Sequence, residues 1–162
     1  MGLFDFVKDA GERVFGGGDD DKPAEPQVRT QDMALADRAK GEALERLIVG
    51  MGVEVTGLDV QYRNSVVTVK GAVASQADKE KAILLVGNTQ GISRVDDQMT
   101  VEKPEPEATM YTVKSGDTLG KIAKAHYGDA MKYPEIFEAN KPLLKDPDKI
   151  YPGQVLRIPA LD

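Results

Sequence analysis

The chain has no cysteine, no tryptophan and a single histidine, and aromatic residues make up only 6% of its 162 positions. Without cysteine there is neither a disulfide framework nor thiol chemistry. The lone His126, in KIAKAHYG, has no Ser/Asp or His/Glu company at catalytic or zinc-ligating spacing, so it reads as a packed or capping residue. GGGDDDK carries glycines but no Gly-Lys-Ser/Thr ending and is not a phosphate loop. Catalysis is therefore not expected. No run of apolar side chains exceeds five residues, far short of the roughly 20 a membrane-spanning helix requires. The opening MGLFDFVKDAGERVF has acidic Asp5 and Asp9 among its apolar residues and lacks the basic, apolar and cleavage regions of a secretory signal. Met1-Gly2 does not make a myristoylation motif, because position 6 is Phe rather than Ser or Thr. The expected address is cytoplasmic and the expected state monomeric.

Charge is plentiful but unevenly placed. The net charge is −6, with 12 basic and 18 acidic side chains in residues 1–102 and nine of each in 103–162. An acidic chain without a basic stripe is a poor partner for nucleic acid, whose affinity comes mainly from phosphate contacts.

Two polar stretches divide the chain. Residues 16–33 begin GGGDDDKPAEP, too polar to pack; residues 103–109 are a stiffer, Pro-spaced tether around Pro104 and Pro106. Ahead of the first, residues 1–15 place Leu3, Phe4, Phe6 and Val7 on what reads as one face of an amphipathic helix. Between the two, residues 34–102 read as α-β-β-α-β. Leu35, Ala39, Ala43, Leu44, Leu47 and Ile48 recur at helical spacing. Leu58 to Tyr62 alternates as a strand, Arg63-Asn64-Ser65 turns, and Val66 to Lys70 forms a partner strand ending at Gly71. Ser75 caps a helix that breaks at Gly87-Asn88, and Ile92 to Val101 closes the unit as a strand. Asp96 and Asp97 are expected to stay solvated; they lack the spacing of a calcium loop.

Residues 110–160 read strand, helix, helix, strand. Tyr111-Thr-Val-Lys stops at Ser115-Gly116-Asp117, with Asp117 or Thr118 as N-cap. Leu119, Ile122, Ala123 and Tyr127 give the helical period, and Gly128-Asp129 ends it. Ile136, Phe137 and Ala139 lie on the second helix, Asn140-Lys-Pro142 stops it, and Pro152-Gly153 turns the chain into Val155 to Ile158.

Three motifs in this last unit, YTVKSGDTL, IFEANK and IYPGQVLRIP, resemble the LysM module. That resemblance implies a βααβ fold with both helices on one face of a two-stranded antiparallel sheet. It also implies a shallow groove for N-acetylglucosamine-containing glycans, lined by Ser115, Gly116, Asp117, Thr118 and Leu119 on one side and by Ile150, Tyr151, Pro152 and Gly153 on the other. The middle unit, with its core NSVVTVKGAVASQADKEKAILLVGNTQGISRVDDQMTV, resembles the BON domain, a class of non-enzymatic binding modules linked to membranes or osmotic stress. The whole arrangement resembles the small cytoplasmic potassium-binding proteins of BON–LysM architecture. The fold class expected is α+β, with an N-terminal helix on an αββαβ BON domain followed by LysM.

That resemblance implies one K⁺ held in the BON domain, a conformational change on binding, and a K⁺-sensor role in which LysM docking changes. Selective potassium sites replace the ion's weak hydration with neutral carbonyls, which leave almost no side-chain signature. Two helix ends could supply such carbonyls: Val7 and Ala10 at the end of the opening helix, with Glu12 beyond, and Gly87, Thr89 and Ile92 in the later one. There Gly87 and Gly91 are expected to let the backbone curl through φ > 0. Beside the ion stand two other readings of the partners: glycan binding through the LysM groove, and modules that dock another protein.

Overall fold

The computed structural model describes residues 2–6 and 31–161. Six strands in two sheets and four α-helices make up its regular structure, with one short 3₁₀ turn. A four-stranded sheet in the order β1-β4-β3-β2 is built from β1 (Gly2–Asp5), β2 (Thr56–Arg63), β3 (Val66–Ser75) and β4 (Arg94–Lys103). The β2–β3 and β1–β4 pairs are antiparallel, whereas β3 and β4 are parallel and joined by helix α2 (Gln76–Gly87). Helix α1 (Gln31–Gly50) lies between β1 and β2 in the chain. A core of Leu44, Ile48, Val60, Val67, Val69, Ile83, Val86 and Val95 lies beneath it.

The local causes are those legible in the chain. Ser75 Oγ accepts from Asp78 N and starts α2. Asn64 and Ser65 both adopt positive φ, which makes the β2–β3 hairpin turn. The exposed side of α1 is wider than its spacing suggested: Leu35 is 65% exposed, and Gly41, Leu44 and Ile48 form the buried line.

Three expectations are corrected. Residues 2–5 are a strand, not the start of a helix; Phe4 and Phe6 pack on the core while Leu3 faces outward, a period of two. The remainder of the expected helix, residues 7–15, lies outside the described residues. Gly71 does not end β3 but sits within it at φ 145°, beside the register shift between Thr56 and Asp59, where a Cβ would overlap Val55. Asp97 is fully buried rather than solvated, because the alternation Val95, Asp97, Met99 turns it inward. There its Oδ1 accepts from Met99 N, and Lys79 Nζ stands 2.9 Å from Oδ2 as an ionic contact rather than a well-directed hydrogen bond.

The second group is smaller. Strands β5 (Thr109–Thr112) and β6 (Val155–Ile158) pair antiparallel, with helix α3 (Leu119–Tyr127), a 3₁₀ turn (Ala130–Lys132) and helix α4 (Tyr133–Ala139) between them. Thr118 Oγ1 accepts from Lys121 N to begin α3, and Gly128 ends it in the left-handed region at φ 76°. The βααβ order expected of residues 110–160 is present, and the α+β class with it. Val113, Leu119, Ile122, Ile136, Leu144, Leu156 and Ile158 form its core.

Candidate functional site

The stretch after α2 holds the end of that helix's backbone hydrogen-bond ladder. Asn88 caps the helix with its N–H on Leu84 O, Thr89 N donates to Val86 O, and Thr89 Oγ1 donates to Leu85 O. These bonds use up the helix's last carbonyls up to Val86 and leave those beyond. Among the described residues the carbonyls of Gly87 and Ile92 accept no hydrogen bond, and that of Thr89 accepts only a long one from Ile92 N, at 3.3 Å. The buried Gly87 and Ile92 are thus where a backbone-oxygen ligand set could be drawn from.

Gly91 takes φ 88°, as expected, but Gly87 does not adopt positive φ. Its role is different: the Phe6 ring lies on it, and a Cβ there would overlap that ring. Phe6 N also donates to Ser93 O at 2.8 Å, so the N-terminal strand ends against both flanks of the 87–92 loop. Val7, Ala10 and Glu12, the other expected carbonyl donors, lie outside the described residues and follow Phe6 directly in the sequence.

A cation from the protein itself stands at this loop. Lys40 Nζ donates to Gln90 O at 3.4 Å and sits 4.6 Å from the centre of the Tyr62 ring. Among the described residues there is no group of three or more His, Cys, Asp or Glu side chains placed to hold a metal. Neutral carbonyls are the donors that fit a large, weakly hydrated monovalent ion.

The loop is also a domain junction. Asn88 Nδ2 donates to Val155 O and Asn88 Oδ1 accepts from Val155 N, at 2.9 and 2.8 Å. Arg157 Nε donates to Glu80 Oε2 at 2.8 Å, and Glu80 Oε1 accepts from Ala108 N and Gln76 Nε2. Beside these contacts lies a cleft of about 350 Å³ whose walls include Met51, Leu85, Thr89, Leu143 and Tyr151.

The expected glycan-binding loops meet at the end of the β5–β6 sheet, where Val113 and the Gly153–Gln154 backbone exchange two hydrogen bonds of 2.8 Å. Ser115, Gly116, Thr118 and Pro152 are exposed, whereas Leu119 is buried in the core. Asp117 accepts from Tyr111 Oη at 2.6 Å and from Lys114 N at 2.8 Å. These bonds, the Tyr111 one foremost, hold the Asp117 carboxyl below its ordinary range, and the same contact holds the Tyr111 hydroxyl above its own. Ile150 packs against the domain core and Tyr151 lines the interdomain cleft, where burial raises its hydroxyl pKa. The structure thus separates the expected groove residues into an exposed set and a set spent on core, turn or junction. His126 is exposed and meets Tyr111 edge-on at 5.4 Å.

No helix among the described residues is long and apolar enough to cross a membrane. Residues 37–103 match the BON domain family and residues 111–159 the LysM domain family. Along 98% of its length the chain is 45% identical to the potassium binding protein Kbp of Escherichia coli O6:H1, of which it covers 99%. An uncharacterised protein of Deinococcus radiodurans is 39% identical over 114 residues, 64% of this chain and 44% of that one. The esterase Rv1288 of Mycobacterium tuberculosis is similar over only 53 residues, at 49% identity, which is 11% of the esterase. The chain belongs to the family of the potassium binding protein Kbp and carries a BON domain followed by a LysM domain.

Proposed function

We propose that this protein binds K⁺ through backbone carbonyls of its BON domain and reports the ion by a change in conformation and LysM docking. The observation that carries the reading is the 87–92 loop, where the Gly87 and Ile92 carbonyls accept no hydrogen bond from the described residues. Phe6, whose ring lies on Gly87, is the residue immediately before Val7 in the sequence. Val7, Ala10, Glu12, Gly87, Thr89 and Ile92 are the proposed carbonyl donors. The near full-length similarity to a potassium binding protein supports the choice of ion. The protein acts as a binder rather than an enzyme, as a monomer, in the cytoplasm.

When bound, K⁺ supplies positive charge that offsets clustered carbonyl dipoles; an ion that binds one arrangement better shifts the chain toward it. The test is a titration of the full chain with K⁺, Rb⁺, Na⁺ and Ca²⁺ at matched ionic strength, followed by backbone amide shifts. Saturable shifts at residues 87–93 with K⁺ and Rb⁺, and near silence with Na⁺, are expected. Equal responses to Na⁺ and K⁺ would overturn the reading and leave general screening.

A second reading, glycan binding by the LysM loops, is favoured by the exposed Ser115, Gly116, Thr118 and Pro152. Chitooligosaccharide titration tests it, with shifts at 115–118 and 152–153 as the expected sign. Unchanged shifts at millimolar sugar would dismiss it.

A further inference from the structure

Strand β6 has one edge paired with β5 and one edge turned away. Gln154 O accepts from Val113 N on the paired side, so the alternation of an antiparallel ladder sends the N–H and C=O of Val155 and Arg157 outward. Neither outward position is left open. At Arg157 the carboxamide of Asn140, from the same domain, donates to the carbonyl and accepts from the N–H, both at 2.8 Å. At Val155 the carboxamide of Asn88 does the same from the BON domain. Each asparagine takes the place of one residue of a missing neighbouring strand.

Asn88 has nothing to spare. Its Nδ2 also donates to Leu84 O at 2.9 Å, so both amide hydrogens and the oxygen are engaged, and rotation of the side chain breaks three bonds together. Its own peptide units join Gly87 to Thr89, two of the proposed carbonyl donors. Aiming those carbonyls fixes the Asn88 backbone, and the engaged carboxamide carries that placement to Val155.

We propose that Asn88 is the positioning residue that couples the ion loop to the LysM domain by completing the edge of the LysM sheet. This rests on the ion-binding reading above. Linkage makes the coupling mutual: whatever the docked sheet edge adds to ion affinity, the ion adds to docking. Asn88 touches the ion in no step; it holds the loop in the shape that does.

The test uses the full chain with Asn88→Ala, Val155→Pro and both together. Val155→Pro removes the outward N–H, on the side where an edge strand tolerates proline; it also replaces the buried Val155 side chain, and it leaves the α2 cap intact. Each single variant is expected to weaken K⁺ binding by about fivefold or more, the lower range of measured couplings, and the double variant by no more than either single. Tyr127→Phe, which removes the bond to Pro159 O elsewhere in LysM, controls for stability: it should lower the melting temperature and leave K⁺ affinity unchanged. Wild-type affinity in Val155→Pro, with the β5–β6 amide shifts preserved, would overturn the coupling. So would additive losses in the double variant, or an equal loss in Tyr127→Phe. A wild-type chain that ignores K⁺ would instead overturn the ion reading and this coupling with it.

Discussion

Arg157 of β6 and Glu80 of α2 form an ion pair across the junction of the two domains, Nε to Oε2 at 2.8 Å, with side chains only 11% and 2% exposed. The carboxylate's other oxygen takes Ala108 N and Gln76 Nε2, and Arg157 Nη1 reaches Ala139 O. A buried pair so fully satisfied is costly to break from one side, because the survivor keeps its desolvation without its partner. Arg157→Met is expected to cost about 3 to 5 kcal/mol in denaturant unfolding, and adding Glu80→Leu should recover part of it. A loss below about 1 kcal/mol would place the pair among solvated surface bridges and mean that the junction opens in solution.

Lys40 is expected to lower the ion affinity of the loop it touches. Its ammonium lies at Gln90 O, one residue from the proposed Thr89 carbonyl, and a second cation must approach against it. Lys40→Met keeps the stem beside Tyr62 and removes the charge. K⁺ affinity should rise about two- to fivefold at low ionic strength, as suits a pair of partly solvated charges. The gain should shrink as tetramethylammonium chloride screens the interaction. Weaker K⁺ binding in the variant would mean that Lys40 supports the loop rather than opposing the ion.

The Tyr111–Asp117 contact makes LysM stability depend on pH at both extremes. Asp117 is depressed below its ordinary 3.8, so its contribution is present above that value and is lost as pH falls through the lower, folded-state pKa. Tyr111 is raised above its ordinary 10.0, so its contribution is present below that value and is lost as pH rises through the higher, folded-state pKa. Both groups are half-buried and within reach of solvent, which holds the pair to about 1 kcal/mol. Tyr111→Phe should therefore lower the melting temperature slightly at pH 7, and the difference from wild type should narrow in acid well below 3.8. A difference unchanged down to full protonation would assign the effect to packing against His126 instead.

Much of this architecture could be read locally. Ser75, Thr118 and Gly128 mark helix ends through short-range hydrogen bonds or a left-handed φ that the residue types themselves favour. What escaped was nonlocal. Leu3, Phe4 and Phe6 fit a helical face as well as a strand, and only pairing with β4, some ninety residues on, decides between them. Charge type alone predicts a solvated Asp97, whereas its alternation with Val95 and Met99 turns it inward. Nothing in the sequence around Asn88 announces that its amide serves the edge of another domain. The proposed carbonyl donors remain the least legible, since a backbone oxygen carries no residue identity.

Gly87 separates backbone propensity from packing. It ends α2 without positive φ, so alanine there should favour the helix by roughly 0.5 to 1 kcal/mol. The added methyl, however, would overlap the Phe6 ring, and overpacking of that kind costs about 1 to 3 kcal/mol. Packing should win, with Phe6 expelled and its N–H bond to Ser93 O lost. Gly87→Ala is expected to lower stability and K⁺ affinity together, because the displaced Phe6 directly precedes the segment of the proposed Val7, Ala10 and Glu12 donors. Phe6→Ala in the same chain should restore room for the methyl and part of the stability, yet not the K⁺ affinity, since the ring that anchors the segment is gone. Retention of both stability and affinity in Gly87→Ala would mean that the N-terminal strand does not rest on this loop in solution, and that the ion is held without it.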